Sequence, residues 1–211
     1  MRDASQLIDI EPSHRAIIIG KTGSGKTELA KALVTQYPYL ICLDRKKDFR
    51  LPNARYPRTP KELYDTKFRT YEPIIYQPSV EFWDRDSWNE VFTWIYQKQN
   101  LTLYVDEAYS VIQRGVPPQM FVAIIVQGRS LNIRTITCSQ RPVWIPAELL
   151  SESEHYICFH VKKPEDREVM AGYMGAGVLA PLTNKHSFHY YSDDSDQIRE
   201  CILKLPEDIN G

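Results

Sequence analysis

Short β-branched apolar runs alternate along the chain with stretches of helical period. AIIIG (16–20) reads as a buried strand closed by glycine. TELAKALVTQY (27–37) follows as a helix carrying Leu29, Leu33 and Val34 on one face and stopped by Pro38. YLICLD (39–44) is a second buried strand ending at a carboxylate, and EPIIYQP (72–78) a third. DRDSWNEVFTWIYQKQ (84–99) spaces Trp88, Val91, Phe92 and Ile95 for one helical face, with Asp84 or Asp86 as its cap. LTLYVDEA (101–108) is a fourth strand, PPQMFVAIIVQGRS (117–130) a helix opened by proline, and IRTITCSQ (133–140) a fifth strand. HYICFHV (155–161), a helix from Pro164 to about Met174, and two closing strands, HSFHYY and IRECILKL, complete the series. Such alternation predicts an α/β fold: a mostly parallel central sheet flanked by helices, with an antiparallel edge hairpin over 183–205.

Between the second and third strands, residues 45–70 read as a loop-rich insert broken by Pro52, Pro57 and Pro60, with one short helix near KELYD. Over 45–69 it holds nine Lys and Arg against three acids, although the whole chain of 211 residues carries a net charge of only −1. That imbalance predicts a local basic surface on a mildly acidic body. It argues against a protein that coats nucleic acid over its entire surface. The insert and the Gln113-Arg114-Gly115 loop are the candidates for phosphate contacts; solvated loops are the plainer reading of both. Tyr56, Tyr64, Phe68 and Tyr71 are interleaved in the insert and would serve either reading.

A hydrophobic share of 43% allows a sizeable core, and the length fits one domain, residues 1–211. The longest apolar run, FVAIIV (121–126), is far too short to cross a membrane, and MRDASQLIDIEPSHR has no apolar signal core. The four cysteines, 42, 138, 158 and 201, are isolated, which predicts reduced thiols (buried at Cys42 and Cys158) in a cytoplasmic protein.

The chemistry concentrates in three places. GKTGSGKT, Gly20 to Thr27, satisfies GxxxxGK[ST] between a strand and a helix, as a phosphate-binding loop requires. Gly20, Gly23 and Gly25 let the backbone N–H groups of the loop, through Lys21, Thr22 and Ser24, turn toward an anion at a helix N-terminus. Lys26 would reach the β- and γ-phosphates of ATP, and the Thr27 hydroxyl would hold Mg²⁺. Second, LTLYVDEA delivers Asp106 to the metal and Glu107 to a water that attacks the γ-phosphate, unless the two acids merely cap a following turn. Third, Gln140 ends an apolar strand, where it would sense the γ-phosphate or simply leave the sheet.

GRSLNIRTITCSQRPVWIP (128–146) resembles the segment of the FtsK–HerA motor superfamily in which an arginine precedes a strand ending in Thr-Gln-Arg-Pro. Here Ser139 replaces the threonine while Gln140, Arg141 and Pro142 match. ICLDRKKDF is similar to that family's strand ending in Asp-x-Lys, with Asp44 and Lys46 in the matching places. The resemblance implies a P-loop ATPase that assembles as a homo-oligomeric ring, pentamer or hexamer, and translocates double-stranded DNA without reading its sequence. It implies a site completed by a neighbour's arginine. Arg129 matches that position, with Arg114 and Arg141 in reserve and a cation at a helix C-terminus as the alternative role for Arg129. The compact motor core is most similar to the genome-packaging ATPases of icosahedral viruses with internal membranes. That likeness implies a host-cytoplasmic or virion-associated protein docked on a capsid vertex or membrane protein. Two other readings stand beside it: a thymidine-kinase-like phosphotransferase, which shares the Asp-Glu-Ala of 106–108, and a motor of the same superfamily for assembly or secretion.

Overall fold

A computed structural model describes residues 8–112, 116–195 and 197–204. Its eight strands are β1 (Arg15–Ile19), β2 (Leu40–Asp44), β3 (Ile74–Tyr76), β4 (Leu101–Asp106), β5 (Ile133–Ser139), β6 (His155–Phe159), β7 (Ser187–Ser192) and β8 (Arg199–Ile202). The helices are α1 (Lys26–Val34), α2 (Pro60–Asp65), α3 (Arg85–Lys98), α4 (Gln119–Gln127), α5 (Ala147–Ser151) and α6 (Pro164–Met174). All strands join one sheet in the order β3-β2-β4-β5-β1-β6-β7-β8. The first six are parallel; β7 and β8 run antiparallel at the edge, as the spacing of the last two apolar runs predicts.

Both faces of the sheet are covered, but unequally. One core layer holds Leu63 of α2, Trp88 and Phe92 of α3, Phe121 of α4, Leu149 of α5 and Met170 of α6. The opposite layer has a single helix, α1, whose Leu29, Leu33 and Val34 pack with Ile8, Ile10, Phe49, Tyr104 and Leu203. The three central parallel strands, β1, β4 and β5, are buried along their whole length, as strands covered on both faces are.

Several boundaries are tighter than the apolar pattern implies, for local reasons. α1 stops at Val34 because Tyr37 precedes Pro38, and a residue before proline is driven out of helical conformation. The Thr35 hydroxyl donates to the Lys31 carbonyl (2.9 Å) as the last turn closes. β3 shrinks to three residues between Pro73 and Pro78, neither of which has an N–H for the ladder. α4 begins only after Pro117 and Pro118 and passes into a 3₁₀ turn over Gly128–Leu131. The Asp84 carboxylate caps α3, accepting from the Ser87 N–H at 2.9 Å. α5 is a five-residue helix that the apolar pattern does not predict.

The 45–70 insert folds back along the sheet edge. Arg55 bridges to Ile74 in parallel, and its carbonyl accepts from the Ile75 N–H (2.8 Å), so the edge strand is covered. Its aromatic residues pack the insert down: Tyr64 and Phe68 lie 5.6 and 5.7 Å from the Trp94 ring. Tyr71 alone of the four stands well out, at 60% exposure. All four cysteines are free; Cys42, Cys138 and Cys158 are buried and Cys201 is half-buried.

His155 is buried at the start of β6, with Nδ1 2.9 Å from the Tyr190 hydroxyl and Nε2 3.0 Å from His14 Nδ1. Burial, reinforced by His14, pushes its pKa down to about 4. The unfolded chain therefore takes up this proton near pH 6.5 and the native one only near pH 4, so stability is full above pH 6.5 and falls as the pH drops between them. Denaturant unfolding at pH 7 and pH 4 is expected to show about 3 kcal/mol of this loss, absent from the same comparison in His155→Leu.

Candidate functional site

The parallel register sets the C-terminal ends of five strands side by side. Ile19 is level with Ser139 and Cys158, and Asp44 with Asp106. Gly20 leaves β1 at this edge, its N–H donating to the Ser139 carbonyl (3.2 Å); the Lys21 N–H donates to the His160 carbonyl (2.8 Å). No side chain fits at Gly20, where a Cβ would stand 2.6 Å from Phe159 Cβ and 2.8 Å from Ser24 Oγ. Gly23 and Gly25 turn the loop through positive φ, 76° and 106°. Among the described residues their N–H groups donate to no carbonyl, and the buried Ser24 Oγ has no partner. Lys26, the first residue of α1, folds its ammonium back onto the Gly20 and Lys21 carbonyls (2.6 and 3.1 Å). Burial lowers its pKa, opposed in part by nearby Glu107 and Asp106. Unused N–H groups, an orphaned hydroxyl and a cation held by carbonyls at a helix N-terminus are what an incoming phosphate would satisfy.

Across the edge, Asp106 closes β4 and Glu107 turns out of it at φ 65°. Asp106 is buried, which raises its pKa, and it accepts the Tyr104 hydroxyl at 2.8 Å, which works the other way. Glu107 is fastened on both oxygens. Oε2 pairs with Lys46 at 3.3 Å, and Oε1 lies 3.4 Å from both Ser139 Oγ and the Gln140 N–H. A cleft of about 300 Å³ opens between the loop and these acids, lined by Lys26, Thr27, Lys46, Asp106, Glu107 and Gln140. The Lys26 ammonium and the loop N–H groups on one wall suit a triphosphate, and Thr27, with Asp106 on the other side, offers the oxygen ligands that Mg²⁺ takes. Among the described residues, Asp44, Asp48 and Asp106 form a further acidic group, but Asp44 is already engaged by Gln77 Nε2 (2.7 Å) and the Lys47 and Phe49 N–H groups.

No family model matches the chain. It is 30% identical over 207 residues to the DNA packaging ATPase P9 of Enterobacteria phage PRD1, an alignment covering 91% of this chain and 86% of the phage protein. The chain belongs to that family of DNA-packaging ATPases. Its fold is shared with the genome packaging NTPase B204 of Sulfolobus turreted icosahedral virus 2 in complex with ATP-gammaS. That structure has a TM-score of 0.73 at 17% identity, over 93% of this chain and all of that one. VirB4 of Thermoanaerobacter pseudethanolicus shares the fold as well, with a TM-score of 0.66 at 12% identity over 93% and 90% of the two chains. The P-loop ATPase fold and the ATPase activity expected from the loop and the acidic pair thus agree with the relatives.

In this packaging ATPase Thr22, Gly23, Gly25, Lys26 and Thr27 of the loop, both acids and Gln140 line one cleft, with Gly20, Lys21 and Ser24 behind it, whereas the arginines do not join them. Arg129 is exposed ahead of β5, and seven strand residues put it roughly 20 Å from the Ser139 end. Arg141 is tied within its own chain to Asp166 (3.1 Å) and Glu165. Arg114 lies outside the described residues. Lys46, matched to the family only as part of Asp-x-Lys, proves to be the partner of Glu107. His186, which no motif marks, lines the cleft with Nδ1 3.2 Å from the Ser24 carbonyl. The basic insert is less free than its composition implies: Arg45 donates to the Ser110 carbonyl and lies over Trp83, while Arg55 and Arg69 share Glu72. Gly25→Ala must place a Cβ 3.1 Å from Leu203 and 3.3 Å from His186 at a φ that L residues avoid. It is expected to cost about 1–3 kcal/mol. Calorimetric titration should register the distortion as weakened ATP binding, with thermal unfolding shifted down.

Proposed function

We propose that this chain is the ATP-driven motor that packages double-stranded DNA into a preformed capsid. The observation that carries the reading is the meeting of Lys26, Thr27, Asp106, Glu107 and Gln140 at one sheet edge, in a chain 30% identical to a DNA packaging ATPase. Lys26 neutralises the β- and γ-phosphates once its ammonium exchanges the loop carbonyls for phosphate oxygens. Mg²⁺ held by Thr27 and Asp106 would screen the charge of those phosphates. Glu107 accepts the proton of the attacking water, and Gln140 orients that water or reads the γ-phosphate.

The cleft lacks an arginine of its own among the described residues, which supports a shared site in a homo-oligomeric ring, pentamer or hexamer, with Arg129 of a neighbour facing the γ-phosphate. DNA is held by its phosphates rather than its bases. Exposed Arg58, Lys61 and Lys67, which form no ion pair among the described residues, are the insert cations best placed for it. The ring works in the host cytoplasm or on the virion, docked to a capsid vertex or membrane protein. No helix among the described residues is long and apolar enough to cross a membrane.

Glu107→Gln should bind ATP normally and turn it over about 100- to 10,000-fold more slowly, and capsids assembled with it should remain empty. Lys26→Ala should fail earlier, in nucleotide binding itself; normal turnover in either variant contradicts these roles. Duplex DNA should raise the ATPase rate of the wild type, by an amount that shrinks with salt. Arg129→Ala should lower the rate about 1,000-fold, and mixing it with inactive Glu107→Gln subunits should restore part of it. Absence of such rescue removes Arg129 from the neighbouring site.

A further inference from the structure

Tyr104 stands on β4 two residues before Asp106, so both side chains leave the same face of the sheet. That face is the one covered by α1, and the Tyr104 ring is fully buried there, 4.9 Å from the Phe49 ring centroid. A phenyl ring would fill the same space, and burying a hydroxyl in an apolar layer is unfavourable unless the hydroxyl is bonded. This one donates to Asp106 Oδ1 at 2.8 Å, with Cys138 Sγ 3.3 Å away. A hydrogen bond to a carboxylate is the stronger, charge-assisted kind and restrains the oxygen that accepts it.

We propose that Tyr104 is a positioning residue for Asp106: its hydroxyl anchors Oδ1 from inside the core and leaves Oδ2 set toward the cleft for the divalent cation. The proposal rests on the reading of Asp106 as a metal ligand. Tyr104 lies behind Asp106 and does not line the cleft, so it acts only through the orientation of that carboxylate. Partners standing behind a metal ligand characteristically govern metal affinity in this way.

The test compares wild type with Tyr104→Phe by two measurements: ADP binding in EDTA, and Mn²⁺ binding to the ADP complex followed by electron paramagnetic resonance. The expected result is ADP affinity in EDTA unchanged within about twofold and Mn²⁺ affinity about 10- to 100-fold weaker. Equal Mn²⁺ affinity in the two proteins overturns the proposal. So does a parallel loss of both affinities, which would make the hydroxyl a general support of the cleft. If ADP fails to promote Mn²⁺ binding even in the wild type, the metal-nucleotide reading of the site falls, and this proposal with it.

Discussion

Because β5 lies between β1 and β4, the Gly20 N–H meets the Ser139 carbonyl, and Glu107 reaches the start of the next segment through Ser139 Oγ and the Gln140 N–H. One interposed strand therefore separates the phosphate loop from the acids by about two strand spacings, roughly 10 Å. The register is enforced from both faces, since slipping a fully buried strand by one residue would exchange its two core layers.

Within that frame the Glu107 carboxylate is held by competing claims. Lys46 arrives from the end of β2, the strand next to β4, and takes one oxygen; the β5 terminus takes the other. A glutamate in left-handed conformation is unusual, and here it turns the carboxylate off the strand axis and across toward β5. Asp106, by contrast, keeps the strand's extended path, though both acids are buried.

What the sequence discloses and what it conceals divide by distance along the chain. Gly20 to Thr27 is legible because its geometry is local: each glycine, the lysine and the threonine act within eight successive residues. Asp106 and Glu107 are legible because a strand pattern ends on them. The Lys46–Glu107 pair spans 61 positions and the His186–Ser24 contact 162, and neither is accessible without the strand order. Tyr104 reads only as one more aromatic residue in an apolar run, since nothing in LTLYVDEA distinguishes a phenol from a phenyl ring. The basic composition of 45–69 is misleading for a related reason. A count of charges does not reveal that Arg45, Arg55 and Arg69 are spent on carbonyls and on Glu72.

The terminal hairpin has more than an edge to cover. Leu203 and His186 both stand against Gly25, and the Leu203 N–H donates to the His186 carbonyl (3.1 Å). The last described strand is thus mechanically joined to the loop near the first. Coupling of this sort is reciprocal. A contact that shifted the hairpin would press first on the Gly25 turn of the loop, and a shift of that turn would press on the hairpin.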